Sequence, residues 1–170
     1  IGFKIIDAIN AHFKLSKQKP KFKGLLTTGS IDEKKIYAIK PLTFMNNSGT
    51  AIKELIDYFK IDAKNVIVFH DDMDIDFGKI KAKFGGSSAG HNGIESIDKF
   101  IGKEYSRVRI GIGHPKQKKK VNNHVLEDFK EDEEEKIKEI TENIVKQIPT
   151  LIDKKMDLFS SKVNQNLNGI

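Results

Sequence analysis

Cysteine is absent from all 170 residues, which excludes a disulfide framework, a thiolate zinc site and a cysteine nucleophile, and fits a reducing compartment. No apolar stretch approaches the ~18–20 residues that a membrane-spanning helix needs. Arginine is almost missing. Arg107 and Arg109 are the only two, so the positive charge is nearly all lysine, and abundant Ile and Asn accompany it, the protein-level trace of an AT-rich genome. An initiator methionine and a charged-then-apolar leader are missing too, since the chain opens Ile1-Gly2-Phe3; the expectation is that the intact protein carries residues ahead of it. Three nucleotide or hydrolase signatures are lacking as well. The glycine-rich Gly85–Gly90 stretch has neither a Gly-Lys-Ser/Thr ending nor a Gly-x-Gly-x-x-Gly pattern, and Ser48 sits in no Gly-x-Ser-x-Gly elbow.

What is present describes a globular chain. Hydrophobic residues make up 38% and charged residues 32%, and the length suits one domain, residues 1–170, with a real core. The formal net charge is +6, unevenly spread. From Lys79 to Lys120 eleven Lys/Arg face three acids (Glu95, Asp98, Glu104), a local +8 that leaves −2 for the rest. A basic centre of this kind is the footprint of a phosphate-rich partner, against the plainer reading of a lysine-rich solvated surface. The run Glu131-Asp132-Glu133-Glu134-Glu135 reads as an acidic helix start, complementing the helix dipole.

Both hydrophobic periods occur. Ile5, Ile9 and Phe13 recur at helical spacing over 3–15, and Ile52, Leu55, Ile56 and Phe59 do so behind Ser48, read as their N-cap. Residues 22–28 and 35–40 read as the strands of a hairpin, with Gly29-Ser30 and Asp32-Glu33 as turn residues. Val66–Phe69 reads as a strand buried on both faces, and 79–84 and 108–112 as further strands. Residues 92–101 and 131–159 read as helices. The interleaving predicts a single-domain α/β layered sandwich, a mixed β-sheet flanked by helices.

Polar residues of catalytic type gather at strand ends, where α/β folds build their sites. Asp71, leaving the buried strand in His70-Asp71-Asp72-Met73-Asp74, is placed to hold an imidazole in one tautomer and stabilise its protonated form. Asp71, Asp72, Asp74, His70 and His91 form an alternative metal set, disfavoured because neighbouring side chains of an extended segment point to opposite sides. The plainest reading of such an Asp cluster is turn capping. Asn46 and Asn92 carry donors and an acceptor, so they can grip an ester or peptide backbone or stabilise a developing oxyanion; turn and N-cap duty is their ordinary alternative.

Four segments taken together are more specific than any one. Lys40-Pro41-Leu42-Thr43-Phe44-Met45-Asn46-Asn47-Ser48-Gly49, His70-Asp71-Asp72-Met73-Asp74, Gly85-Gly86 through Gly90-His91-Asn92-Gly93-Ile94-Glu95-Ser96-Ile97, and Arg107-Val108-Arg109-Ile110-Gly111-Ile112-Gly113-His114-Pro115 resemble bacterial peptidyl-tRNA hydrolases in order and spacing, from Ile1 to about Asn168. The resemblance implies hydrolysis of the ester joining a peptide to the terminal ribose of tRNA, by a cytoplasmic monomer using neither metal nor other cofactor. It makes peptidyl-tRNA, through its acceptor arm and ester-linked peptide, the partner. It assigns Asp71 as the carboxylate orienting a histidine general base. Asn46 and Asn92 would grip the substrate near the ester, Phe44 and Met45 form the pocket wall, and His91 make a supporting or substrate contact. Lys83 and Arg109 match positions that meet tRNA phosphate.

The family's general-base histidine lies in a His-Asn pair immediately before Ile1-Gly2-Phe3, and further upstream come a strand, an Asn-Pro-Gly loop and a tRNA-contacting tyrosine. The expectation is that the intact protein supplies them. Within the chain, Ser87-Ser88-Ala89 replaces a Gly/His-rich stretch of the family. The competing reading is a non-catalytic RNA-binding module on the same fold, as in plastid group II intron splicing factors; Asn46, Asp71 and Asn92 favour the enzyme, because a module that only binds has no use for an ester-reading set. A metal-dependent hydrolase built on the Asp71–Asp74 cluster is the third reading.

Overall fold

The computed structural model describes residues 1–114 and 129–168. Helix α1 (Gly2–His12) is followed by strands β1 (Lys19–Lys21), β2 (Gly24–Ile31) and β3 (Lys34–Pro41), then α2 (Ser48–Phe59), β4 (Ile67–Asp72), β5 (Ile80–Phe84), α3 (Asn92–Ile101) and β6 (Ser106–Gly111). Beyond these lie α4 (Glu131–Lys146), α5 (Ile148–Ile152) and α6 (Met156–Asn168). Two three-stranded sheets, ordered β1-β2-β3 and β4-β6-β5, with flanking helices give the α/β class that the two periodicities predict. Among the described residues no helix is long and apolar enough to cross a membrane. The Lys116, Lys118, Lys119 and Lys120 part of the basic segment, Pro115 of the fourth motif and His124 lie outside the described residues.

The chain gathers into two compact units, the first made of residues 6–68 and 83–107, the second of residues 1–5, 69–82 and 108–170. In the first, β2 and β3 pair antiparallel from Gly24↔Pro41 to Ile31↔Lys34. Asp32 and Glu33 form the two-residue turn, both left-handed (φ 47° and 64°), the backbone that matches strand twist in tight hairpins. That register corrects the turn assigned to Gly29-Ser30: both lie inside β2, opposite Ile36 and Lys35. Gly29 is there because of close packing, since a Cβ would stand 2.6 Å from Leu15 Cδ2. Strand β1, Lys-Pro-Lys and fully exposed, carries no apolar alternation and so left no periodic signal. Its proline and lysines suit an outer edge that must not recruit another strand.

Ser48 is not the N-cap of α2. A 3₁₀ turn, Met45–Asn47, runs directly into the helix, so Asn47 takes the cap position and the Ser48 hydroxyl donates to the Met45 carbonyl at 2.8 Å. Helix α2 buries Ile52, Leu55 and Ile56 against Leu26, Ile97 and Tyr105, each full burial contributing about 1.5–3 kcal/mol. The Tyr105 hydroxyl donates to Asp98 Oδ1 at 2.7 Å. Burial first, and that hydrogen bond second, hold the phenol well above its ordinary pKa. Because the folded value is raised, the proton's stabilising contribution is complete below the unfolded value of about 10 and is lost as pH climbs past it. Tyr105→Phe is therefore expected to flatten the alkaline fall in stability, measured by denaturant midpoint above about pH 10; an unchanged alkaline slope would show that another group drives it.

In the second unit, α4 puts Ile137, Ile140 and Ile144 on one buried stripe, continued by Ile148 and Leu151. The acidic start behaves as read: Glu133 reaches back to accept the Lys130 amide at 3.0 Å, which satisfies a donor at the helix mouth. The helix read over 131–159 is instead three. Pro149 opens α5, and Lys154, left-handed at φ 61°, separates α5 from α6. The outer edge of β5 is satisfied by α6: Ser160 Oγ accepts from the Ala82 amide at 2.8 Å, while Asn164 accepts from Ile80 N at 3.0 Å and donates to Ile80 O at 2.8 Å. Residues four apart on a helix advance about 6 Å and residues two apart on a strand about 6.8 Å, so the two spacings match.

The run Val66–Phe69 is not buried on both faces. Strand β4 begins at Ile67, continues to Asp72 and stands at the edge of its sheet, and Ile67, Val68 and Phe69 are half-buried.

Candidate active site

The acidic motif closes β4, and strand alternation divides its carboxylates as expected: Asp72 is buried and Asp71 half-buried. Asp72 is structural. Its Oδ1 accepts the Asp74 amide at 2.9 Å and its Oδ2 accepts Arg109 Nε at 2.7 Å. Asp74 lies 3.0 Å from His114 Nε2. The Nδ1 of His70 lies 2.8 Å from the Asp71 carbonyl oxygen, which makes the ring the donor. Asp72 and Asp74 of the alternative metal set are thus directed to different partners, and among the described residues no three such groups converge to hold an ion. The start of α1 packs on the same strand, β4: a Cβ on Gly2 would stand 2.7 Å from the Phe69 carbonyl oxygen, two residues before Asp71.

Arg109 and Arg107, both counted in the basic centre, differ from the lysines. Arg109 is one-fifth exposed and paired with Asp72; Arg107 is 1% exposed and belongs to the core. Asp98, the partner of Arg107, is already subtracted in the local +8, so only the pairing of Arg109 with Asp72, which lies outside that segment, lowers the charge the count implies.

The first unit brings a second group together. The 3₁₀ turn Met45–Asn47 packs against α3, close enough that a Cβ on Gly93 would stand 2.6 Å from Met45 Sδ. His91 caps α3: its Nδ1 accepts from the amides of Gly93 at 3.1 Å and Ile94 at 3.3 Å, which places the ring proton on Nε2. Asn46 and Asn92, on either side of that packing contact, are both exposed. Phe44 is 88% exposed and Leu42 and Met45 are more than half exposed, an apolar patch of the kind that marks a binding surface. Lys83, half-buried on β5, lies against Gly86 of the loop that leads to α3. The structure thus gathers Phe44, Met45, Asn46, His91, Asn92 and Lys83 in one unit and Asp71 and Arg109 in the other.

One network escaped the sequence reading. Arg107 donates to Asp98 Oδ1 at 2.6 Å and to the Ser87 carbonyl at 2.9 Å, with its guanidinium 4.7 Å from the centre of the Tyr105 ring. Its only sequence signal was an arginine in a chain that otherwise uses lysine.

A family model described as "Peptidyl-tRNA hydrolase" matches residues 1–169. A curated protein of that name from Pelagibacter ubique (strain HTCC1062) is 73% identical over 164 residues, covering 96% of this chain and 88% of that protein. Another from Ehrlichia ruminantium (strain Welgevonden) is 44% identical over 163 residues, covering 96% and 83%. The crystal structure of peptidyl-tRNA hydrolase from Acinetobacter baumannii superposes with a TM-score of 0.87 at 28% identity, covering 95% of this chain and 83% of that one.

Proposed function

The chain belongs to the peptidyl-tRNA hydrolase family, and on that premise we propose that it cleaves the ester between a peptide, or an N-blocked aminoacyl group, and the terminal ribose of tRNA. A water oxygen adds to the acyl carbonyl as a histidine base takes its proton. The tetrahedral intermediate then expels the ribose oxygen, which recovers that proton, leaving a free peptide carboxyl and an intact tRNA. The histidine is the one that the family carries just ahead of the segment corresponding to Ile1. Asp71 orients it, in keeping with the close packing of the start of α1 on β4 at Phe69, two residues before Asp71. Asn46 and Asn92 hold the substrate beside the ester, and an amide N–H aimed at the carbonyl oxygen stabilises the negative charge that develops there. Phe44 and Met45 supply apolar wall to the acyl part, and His91 adds a contact from the cap of α3. The enzyme works as a cytoplasmic monomer and needs no metal, as the family resemblance implies.

The observation that carries the reading is the seating of Met45 against the first turn of α3, which sets the Asn46 turn beside the helix that starts at Asn92. Release of the acyl group from N-blocked aminoacyl-tRNA by the full-length protein is the direct test. Binding of the RNA without cleavage would leave only the RNA-binding module.

Lys83 and Arg109 contribute to tRNA phosphate binding. Such contacts give affinity and register rather than sequence choice, which suits a substrate class spanning many tRNAs. Lys83→Ala is expected to weaken binding of uncharged tRNA and reduce the slope of log Kd against log salt by about one, with kcat nearly unchanged. A fall in kcat with an unaltered slope would move Lys83 from phosphate binding to the chemistry.

A further inference from the structure

Of thirty Lys+Arg residues, twenty-eight are lysines. Where this chain needs only charge it uses lysine, so a buried arginine marks a place that needs the planar fork. Arg107 is such a place: 1% exposed, it cannot touch a phosphate, and its guanidinium spans two parts of one unit. One terminal nitrogen reaches Asp98 in the C-terminal half of α3, and the other reaches the Ser87 carbonyl in the loop leading to the start of the same helix. The Tyr105 ring stacks beside the guanidinium, and its hydroxyl shares Asp98 Oδ1. A lysine ammonium is a point charge and would not hold both acceptors in one plane.

The loop needs such a tie. Gly85, Gly86, Ala89 and Gly90 all have positive φ (67°, 111°, 48° and 77°), a backbone that does not hold itself in place, and Ala89 adopts it with a side chain. Its fixed points form a chain of hydrogen bonds. The Gly85 amide donates to Tyr105 O at 2.9 Å, Arg107 holds Ser87 O, the Ala89 amide donates to Ser87 Oγ at 3.2 Å, and the His91 amide donates to Ser88 O at 2.9 Å. The His91 ring then caps α3, whose first residue is Asn92.

We propose that Arg107 is a positioning residue: by tying the Ser87 carbonyl to Asp98 it fixes the 85–90 loop, and through it the approach of His91 and Asn92 to the substrate. This rests on the substrate-facing role given to those two residues above.

Arg107→Lys in the full-length protein tests it. Expected are a loss of about 10²-fold in kcat/KM for N-blocked aminoacyl-tRNA, the scale of a 1 Å misplacement, and a Kd for uncharged tRNA within about twofold of wild type, since the phosphate contacts are untouched. Amide exchange should accelerate at Ala89, His91 and Gly93 while that of the β6 amides is unchanged. A merely structural role would lower stability and leave kcat/KM per folded molecule intact, and a phosphate role would weaken uncharged tRNA; either result overturns the proposal. If Arg107→Lys does not fold, Gly90→Ala perturbs the same loop from its solvent side, because a Cβ there meets nothing within 4 Å and only the positive φ is strained. It should lose roughly tenfold in kcat/KM, and unchanged turnover would again overturn the proposal. A wild-type protein that cleaves nothing would sink the functional reading instead, while the exchange measurement would still report on the tie.

Discussion

Asp71→Asn in the full-length protein is expected to lower kcat for N-blocked aminoacyl-tRNA by about 10³–10⁴-fold while Kd for uncharged tRNA stays within about twofold. The size follows from what an imidazole base requires. A carboxylate accepts the proton on one ring nitrogen, so the lone pair of the other faces the water; as that water gives up its proton, the carboxylate stabilises the imidazolium that forms. An asparagine keeps the shape but offers an N–H to the same ring nitrogen. The ring then takes the opposite tautomer and presents a proton where a lone pair is needed. Of the two adjacent carboxylates, Asp72 is unsuited to the role, since it is buried with one oxygen on Arg109 and the other on the Asp74 amide. Asp71 is the half-buried one of the pair, at the end of β4, on which the start of α1 packs at Phe69. Because the substitution changes no phosphate contact, ground-state affinity for the RNA should be insensitive to it. Weakened binding with an undiminished kcat would place Asp71 in recognition and remove it from the chemistry.

Motif spacing set Asp71 at a strand end and Asn92 at a helix mouth, and the structure puts them at the end of β4 and the start of α3. The reason is physical: chain-local geometry fixes which residues end a strand or open a helix. Helix α3 was bounded correctly, Asn92 to Ile101, because its start and apolar period agree. Strand β1 was not, for Lys-Pro-Lys has no period and exists only through its partner β2. Gly29-Ser30 misled because glycine and serine usually mark turns, whereas here the glycine makes room for Leu15. The pairing of charges was not legible either. The partners of Arg107 and Arg109, Asp98 and Asp72, lie nine and thirty-seven residues away and are revealed only by folding. Long-range pairing of this kind leaves no periodic trace. Scarcity of arginine in a lysine-rich chain was the one hint.

The contact between α2 and α3 gives the second large expectation: Gly49→Ala should cost about 1–3 kcal/mol or more in stability and about 10²-fold in kcat/KM. Gly49 stands where α2 lies close against α3, with its amide donating to Ser96 Oγ at 3.0 Å. A Cβ there would overlap the Ser96 carbonyl oxygen and stand 2.7 Å from Phe100 Cδ2. The phenyl ring can turn aside, but a carbonyl oxygen within a helix cannot move without its helix. Restoring ordinary van der Waals separation then requires α3 to retreat by about 1 Å. That retreat is transmitted to both asparagine-bearing segments, since the Met45–Asn47 turn leads into α2 and Asn92 opens α3. The Met45 contact at Gly93, which sets them side by side, would open with it. At about 2–4 °C per kcal/mol for a chain of this size, the thermal midpoint should fall by several degrees, a loss measurable while the protein is still folded at assay temperature. The salt dependence of uncharged tRNA binding should be unchanged, as Lys83 lies on β5 and not on either helix. Should stability fall as stated while kcat/KM per folded molecule holds at the wild-type value, the spacing of α2 and α3 would not govern how the two asparagines meet the ester, and their joint role in gripping it would have to be abandoned.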